Sequence, residues 1–315
     1  MDCYFLFVFF FFESLCNPIV EDVGNYRYQI FLQSGEFIIP NTMIGKEAEI
    51  FIVAGGGCGN DGYQPDWWGC GGGGGGAGGV IFMRTILNQT LYNVVIGNGG
   101  ITKGSNGENS VFGSFVAFGG GGGGRLANGQ QGGSGGGAGK YDKKQNTGGI
   151  SLNQQGKKGG DAPYINHGGS GAGGGGYSEA GGGTSGNQYD TIRPGYGGNG
   201  INMTDWLLGL PYGDMNNGWR FFAGGGAGGA ATNDYMLPGG RGGGGNGYGT
   251  RKSYDGSPNT GGGGGGTRLG EYGKGGSGIV IVKYVKNYSE TIQISPKLTK
   301  FVLFVWIFLG SELSL

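Results

Sequence analysis

From residue 26 the chain alternates apolar and polar positions with a period of two, the pattern of a half-buried strand. The runs are 26–32 (YRYQIFL), 36–39 (EFII) and 48–54 (AEIFIVA). Ser34-Gly35 supplies a turn and Pro40 ends the second run. These three read as strands of one sheet. Further strand-like runs follow at 80–83 (VIFM), 91–96 (LYNVVI) and 110–118 (SVFGSFVAF), with Gly97-Asn98-Gly99-Gly100 as turn chemistry. The final run, 279–284 (IVIVKY), can rejoin the amino-terminal sheet, so strands at both ends bracket the middle as one closed unit.

The middle follows a different rule. Residues 54–79 hold two glycine runs around a short aromatic loop, and glycine runs recur at 119–124, 132–139, 168–176, 181–183, 195–200, 224–229, 239–247 and 261–266. Polar loops separate them, apart from one richer insertion over 206–222. Glycine accounts for 85 of 315 residues, and such content without a period is ordinarily a mark of disorder. An aromatic fraction of 13% and the clean strand runs argue against that reading. Collagen is excluded because no G-X-Y period is kept. Glycine chains without Cβ adopt an extended helix of three residues per turn and pack side by side, N–H to neighbouring carbonyl. The expected fold is therefore mainly β with an irregular glycine-rich region, a sandwich-like β-sheet capped onto a bundle of polyglycine-II helices. Its domain is expected over 24–286, between an apolar segment at 1–23 and a tail at 287–315.

Charge narrows the function classes. Lys plus Arg and Asp plus Glu both number 21, so no net field draws the chain to nucleic acid, and Arg241-Gly242-Gly243 is its single Arg-Gly-Gly element. The apolar run 5–12 has the length of a signal-peptide core but lacks a basic region before it. Its counterpart at 301–309 is shorter than the ~20 residues that cross a bilayer. Targeting, membrane association through these ends and burial all stay open.

Candidate chemistry is sparse. No catalytic, cofactor-binding or metal-ligating set is expected: His167 is the sole histidine, and it sits at a junction between loop and glycine run. GxGxxG matches follow from composition, and none leads a strand into a helix. The P-loop pattern fails because Tyr141 follows Gly139-Lys140 and Ser134 stands where the first glycine belongs. Cys58 and Cys70 bracket the aromatic loop and can close it as a disulfide ring in an oxidising compartment, or remain thiols. Asn88, Asn202 and Asn287 begin glycosylation sequons that matter only on a secretory route. Tyr63, Trp67 and Trp68 in the first loop, with Trp206, Tyr212, Trp219, Phe221 and Phe222 in the insertion, are too large for a glycine lattice. They either present a recognition surface or form small cores on its outside.

Taken together, 26–39 leading into Ile52-Val53-Ala54-Gly55-Gly56-Gly57, residues 74–81, Asn93 to Gly100, Gly107 to Gly113, and the closing 275–284 resemble the glycine-rich domain of phage and large-virus structural proteins. That domain also occurs in bacterial and protist surface proteins. The resemblance implies a polyglycine-II helix sandwich whose loops contact a host surface. A more distant similarity is to the glycine-rich ectodomain of the anaplastic lymphoma kinase receptor, although no kinase signature is present. The expected role is a non-enzymatic structural or adhesive surface protein, virion fibre-like or tail-like or on a cell surface, without cofactor. Its expected partner is a host or cell-surface ligand, protein or glycan, and assembly into an oligomer stays open. A receptor-like ectodomain fragment and a disordered RNA-associated protein are the alternatives.

Overall fold

The computed structural model describes residues 18–62, 69–140, 144–164, 169–185, 193–231 and 235–286. The strands are β1 (Ile19–Val23), β2 (Tyr26–Phe31), β3 (Gly35–Ile38), β4 (Glu47–Val53), β5 (Val80–Ile86), β6 (Leu91–Val95), β7 (Ser110–Phe112), β8 (Phe115–Ala117), β9 (Ile201–Asn202), β10 (Asp214–Asn216), β11 (Trp219–Phe222) and β12 (Ile279–Val285). One short helix, α1 (Thr204–Leu207), follows β9. The fold is mainly β, and every strand pairing is antiparallel.

Three sheets form, in the orders β1-β2-β12-β4-β5, β3-β6-β7-β8 and β10-β11-β9. The closing strand does rejoin the amino-terminal strands, with Ile281 opposite both Ile30 and Phe51. Two expectations are corrected. Residues 26–39 do not stay in one sheet, because β3 leaves β2 to pair with β6. The run 110–118 is two strands, since Gly113 turns the chain at φ 59° between β7 and β8. Residues 19–23, grouped by sequence with the apolar amino-terminal segment, form the edge strand β1.

Alternation along β4 and β12 places their side chains on opposite faces. Ile50, Ile52, Val280, Val282 and Tyr284 meet Phe37, Tyr92, Val94 and Phe112 of the four-stranded sheet. Phe51, Val53, Ile279 and Ile281 face the other way and are covered by Met203 and by Leu207, Leu210 and Phe222 of the insertion. Burial on both faces explains why both strands read as nearly unbroken apolar runs.

The glycine runs are ordered by a hydrogen-bond pattern of period three. Residues 71–79 form the axis. Gly71, Gly74 and Ala77 donate to the carbonyls of Gly169, Ala172 and Gly175. Gly72, Gly75 and Gly78 donate to Thr267, Gly264 and Gly261, and Gly73, Gly76 and Gly79 to Gly124, Gly121 and Phe118. The carbonyls of the same run accept from Gly57 and Asn60, from Ser134, Gly137 and Lys140, and from Gly226 and Gly229. Each successive N–H thus faces a different neighbour, the periodicity that three residues per turn requires. The approach is close enough that a Cβ on Gly75 would overlap the Gly57 carbonyl. Where space does open, alanine fills it: Ala138, Ala162 and Ala172 pack together, fully buried.

Candidate ligand-binding surface

Five of the eight aromatic residues marked for recognition lie among the described residues, and they divide. Phe222 is fully buried, its ring 5.0 Å from Phe51. Trp206 is half-buried edge-on against Tyr28 at 5.8 Å and Phe82 at 5.4 Å. Tyr212 packs against the same cluster. Phe221 carries the Arg241 guanidinium 5.8 Å from its ring centroid. Trp219 alone of the five is largely exposed, at 48%. The insertion therefore serves chiefly as the cover of the second sheet face. Tyr63, Trp67, Trp68 and His167 lie outside the described residues.

Local sequence fixes this cover. The Asn202 Oδ1 accepts from the Thr204 backbone N–H at 3.0 Å and from its hydroxyl at 2.7 Å, a turn that leads from β9 into α1. Thr204 Oγ1 in turn accepts from Arg220 N at 2.6 Å, tying α1 to β11. Leu208 ends the helix in the left-handed region at φ 51°. Asn202 and Asn88 are both exposed, whereas Asn287 lies outside the described residues.

Beneath α1 is a polar cluster. The Trp206 indole Nε1 donates to Glu49 Oε2 at 2.8 Å, Arg84 Nη2 lies 2.8 Å from Glu49 Oε1, and Lys283 Nζ lies 3.5 Å from Glu49 Oε2. Burial pushes the Glu49 carboxyl up, but the indole, the guanidinium and the ammonium outweigh it and hold the group below its ordinary value. Burial, assisted by the Glu49 charge, pushes Tyr28 up to about 12. The Lys283 ammonium sits 4.4 Å from the Tyr26 ring centroid and 5.4 Å from those of Tyr28 and Trp206. Glu49 and Lys283 hold the insertion to the sheet through Trp206, and Arg84 pairs with Glu49 within the sheet.

The disulfide ring is not formed. Cys58 and Cys70 are both buried and unjoined. The antiparallel register of Asn60 with Gly73 and Gly57 with Gly76 sets Gly62 level with Gly71, so the level of Cys70 is one residue beyond that of Gly62. Cys58 lies five residues from that level, about 15 Å at the ~3.1 Å rise of a threefold chain, whereas a disulfide needs Cα atoms within ~7 Å. Cys58 Sγ instead donates to the Gly273 carbonyl at 3.3 Å, and burial pushes its thiol up to about 12. Cys70 bridges to Gly169. Lys140 is also committed to the lattice: its N–H donates to Gly71 and its Nζ to the Pro163 carbonyl at 2.8 Å.

The lattice has two distinct ends. One end meets the sheets through Ala54, Gly79, Phe118, Ala223 and Gly278. At the other end, Gly62 donates to Arg268, Gly71 to Gly169, Lys140 to Gly71, and Ala230 to Tyr248. The described residues flanking 63–68, 141–143, 165–168, 186–192 and 232–234 all stand at this far end. The segment bearing Tyr63, Trp67 and Trp68 is attached there.

Two adjoining grooves run along the flank of the lattice, beside 251–258. The larger, about 620 Å³, is lined by Tyr248, Arg251, Lys252 and Tyr254 among others. The second, about 510 Å³, is lined by Asn98, Ile101, Glu108 and Lys274, and both share Asp255, Gly256 and Pro258. These residues were not singled out from the sequence. The available signal was a glycine-poor stretch, 248–258, with two tyrosines and three charged residues between glycine runs. Among the described residues no group of His, Cys, Asp or Glu could hold a metal ion, and no helix is long and apolar enough to cross a membrane.

Architecture and surface together define a β-capped scaffold of laterally bonded glycine runs. The chain matches the family description of a glycine-rich domain over residues 33–285 and belongs to that family. No curated protein matches it.

Proposed function

We propose that this chain is a non-enzymatic structural or adhesive surface protein that displays binding segments from a rigid glycine scaffold, on a virion fibre or tail or on a cell surface. The observation that supports the reading is the difference between the two ends of the lattice: the sheets cap one end, and the flanks of five separate segments gather at the other. A lattice whose N–H and carbonyl groups are used internally can hold such segments at fixed spacing, and binding residues concentrate on loops positioned by rigid elements. The partner is a cell-surface protein or glycan, since equal numbers of cationic and anionic residues offer no general attraction for nucleic acid.

The test replaces 63–68 and 232–234 with Gly-Ser segments of equal length and compares binding of labelled protein to intact cells. The expected result is an unchanged circular dichroism spectrum and protease-resistant core with binding reduced at least tenfold. Unchanged binding in the folded variant, or no cell binding by the parent chain, would overturn the reading.

A further inference from the structure

The flank groove has features that neither lattice packing nor the far-end segments require. Tyr254 is 57% exposed, and its ring lies 6.0 Å from that of Tyr248 at 29° between planes. Tyr248 is itself held by its hydroxyl, which donates to Met236 Sδ at 2.8 Å. An aromatic face supported from behind therefore lines the larger compartment.

Two carboxylates, Asp255 on the shared wall and Glu108 in the second compartment, are fixed, each through one oxygen. Asp255 Oδ1 accepts from the Lys274 backbone N–H at 2.8 Å. Glu108 Oε2 accepts from Asn98 N at 3.1 Å and Asn98 Nδ2 at 2.9 Å. Among the described residues the second oxygen of each carboxylate and the Lys274 ammonium have no hydrogen-bond or ion-pair partner. Preset acceptors beside an uncommitted donor are the arrangement that orients a polar ligand.

The backbone adds to this. In the run 253–258, Ser253 and Gly256 donate to Glu271 and Lys274, while Tyr254 and Ser257 donate to Asn246 and Gly243. The remaining third of the period falls on Asp255 and on Pro258, which has no N–H. That row has no lattice neighbour among the described residues, so the Asp255 N–H is left for an outside acceptor. The residues lining the groove thus carry groups of both kinds: acceptors on two carboxylates, donors on one ammonium and the backbone.

We propose that this flank groove binds an uncharged oligosaccharide, with Tyr254 as the platform for a sugar face and Asp255, Glu108 and Lys274 as partners of its hydroxyls. The class follows from the mixture. A hydroxyl both donates and accepts, so a chain of hydroxyls satisfies a wall that presents both kinds of group, whereas a polyanion would meet two fixed carboxylates and, of the lining cations, a Lys252 already paired with Glu271 at 3.4 Å. Ring C–H faces of sugars suit an exposed aromatic plane. Compartments of about 620 and 510 Å³ that share a wall at Asp255, Gly256 and Pro258 suit several sugar units rather than one. The proposal rests on the reading of the chain as a binding scaffold but uses a different surface.

The experiment presents the full chain with immobilised linear hexasaccharides of glucose, galactose, mannose and N-acetylglucosamine, alongside sulfated counterparts, and then titrates the hits calorimetrically. The expected result is binding to at least one neutral series that varies little with salt. Tyr254→Ala should weaken it at least tenfold, Tyr254→Phe should preserve it, and Asp255→Asn should weaken it severalfold with thermal unfolding unchanged. If Tyr254→Ala does not fold, Asp255→Asn and Lys274→Met carry the test. Absence of binding to every neutral series, equal binding by the folded Tyr254→Ala protein, or steeply salt-dependent binding confined to sulfated sugars would each overturn it. Cell binding that persists in a protein inert toward the neutral series removes the groove proposal alone and leaves the scaffold reading standing.

Discussion

The Lys283 ammonium lies 5.4 Å from the Trp206 ring centroid and donates to the Trp206 backbone carbonyl at 3.3 Å, joining the closing strand to the insertion 77 residues earlier. Both partners also meet Glu49, so one carboxylate on the inner strand β4 links the first, middle and last parts of the chain. Trp206→Ala should lower stability by about 3 kcal/mol, as loss of a large packed aromatic does. In a Lys283→Met background the same change should cost about 1 kcal/mol less, because part of the loss is shared with the cation. A double-mutant cycle in urea checks this, and strict additivity would dissociate the two residues.

Acid should loosen the same cluster. The folded Glu49 carboxyl titrates below its ordinary value of 4.5, so its ionised form is the one that native contacts favour. Its contribution is fully present above pH 4.5 and is lost as the pH falls through the folded value. Stability of the parent chain should therefore drop below pH 4.5 more steeply than that of Glu49→Gln, as read from urea midpoints against pH.

The lattice axis should reject a single methyl group. Gly75→Ala drives a Cβ into the Gly57 carbonyl, and neither backbone can yield without breaking ladders to its other neighbours. The expected cost exceeds ~4 kcal/mol, in the range reserved for severe core disruption. By contrast Gly24, with open space around its Cβ position but φ at 57°, should lose only about 1 kcal/mol on the same change. Thermal unfolding of the two variants separates lattice contact from backbone strain.

Removal of 279–285 should unfold the glycine runs as well as the sheet. β12 lies between β2 and β4, and its loss divides the five-stranded sheet on which the capped ends of the runs depend. Limited proteolysis of the truncated chain should show no resistant core, and a surviving glycine-rich fragment would refute the dependence.

Cys58 should be inert in the native state. Its thiol is fully buried and titrates at about 12, so labelling with a thiol reagent at pH 8 should await unfolding. Mass analysis of the unreduced protein should find no bond between Cys58 and Cys70. Because the folded value is raised, the thiol also favours the native state below pH 9, and that contribution is lost progressively from pH 9 toward 12.

Much of the β portion was legible. Residues 48–54 and 279–284 carry enough apolar side chains to be read as strands, and their return to a common sheet followed from closing the body. Period-two alternation does not say which sheet a strand joins, so 36–39 was placed beside 26–32 although it crosses to pair with β6. It is equally silent on whether one face or both are covered. The aromatic side chains of the insertion are compatible by sequence with either a recognition surface or a small core, and nothing in 206–222 discloses that Phe51, Val53 and Ile281 need a second cover.

Glycine placement by itself determined that the middle of this chain packs backbone against backbone, since runs without Cβ leave no side chains from which to build an ordinary core. The neighbour given to each run was decided only in three dimensions. A threefold chain offers six lateral directions, and identical glycines cannot specify which segment fills each one. Loop lengths and the junctions with the sheets impose that choice, and with it the separation of Cys58 from Cys70. They also leave the outward row at Asp255 and Pro258 that opens the flank groove.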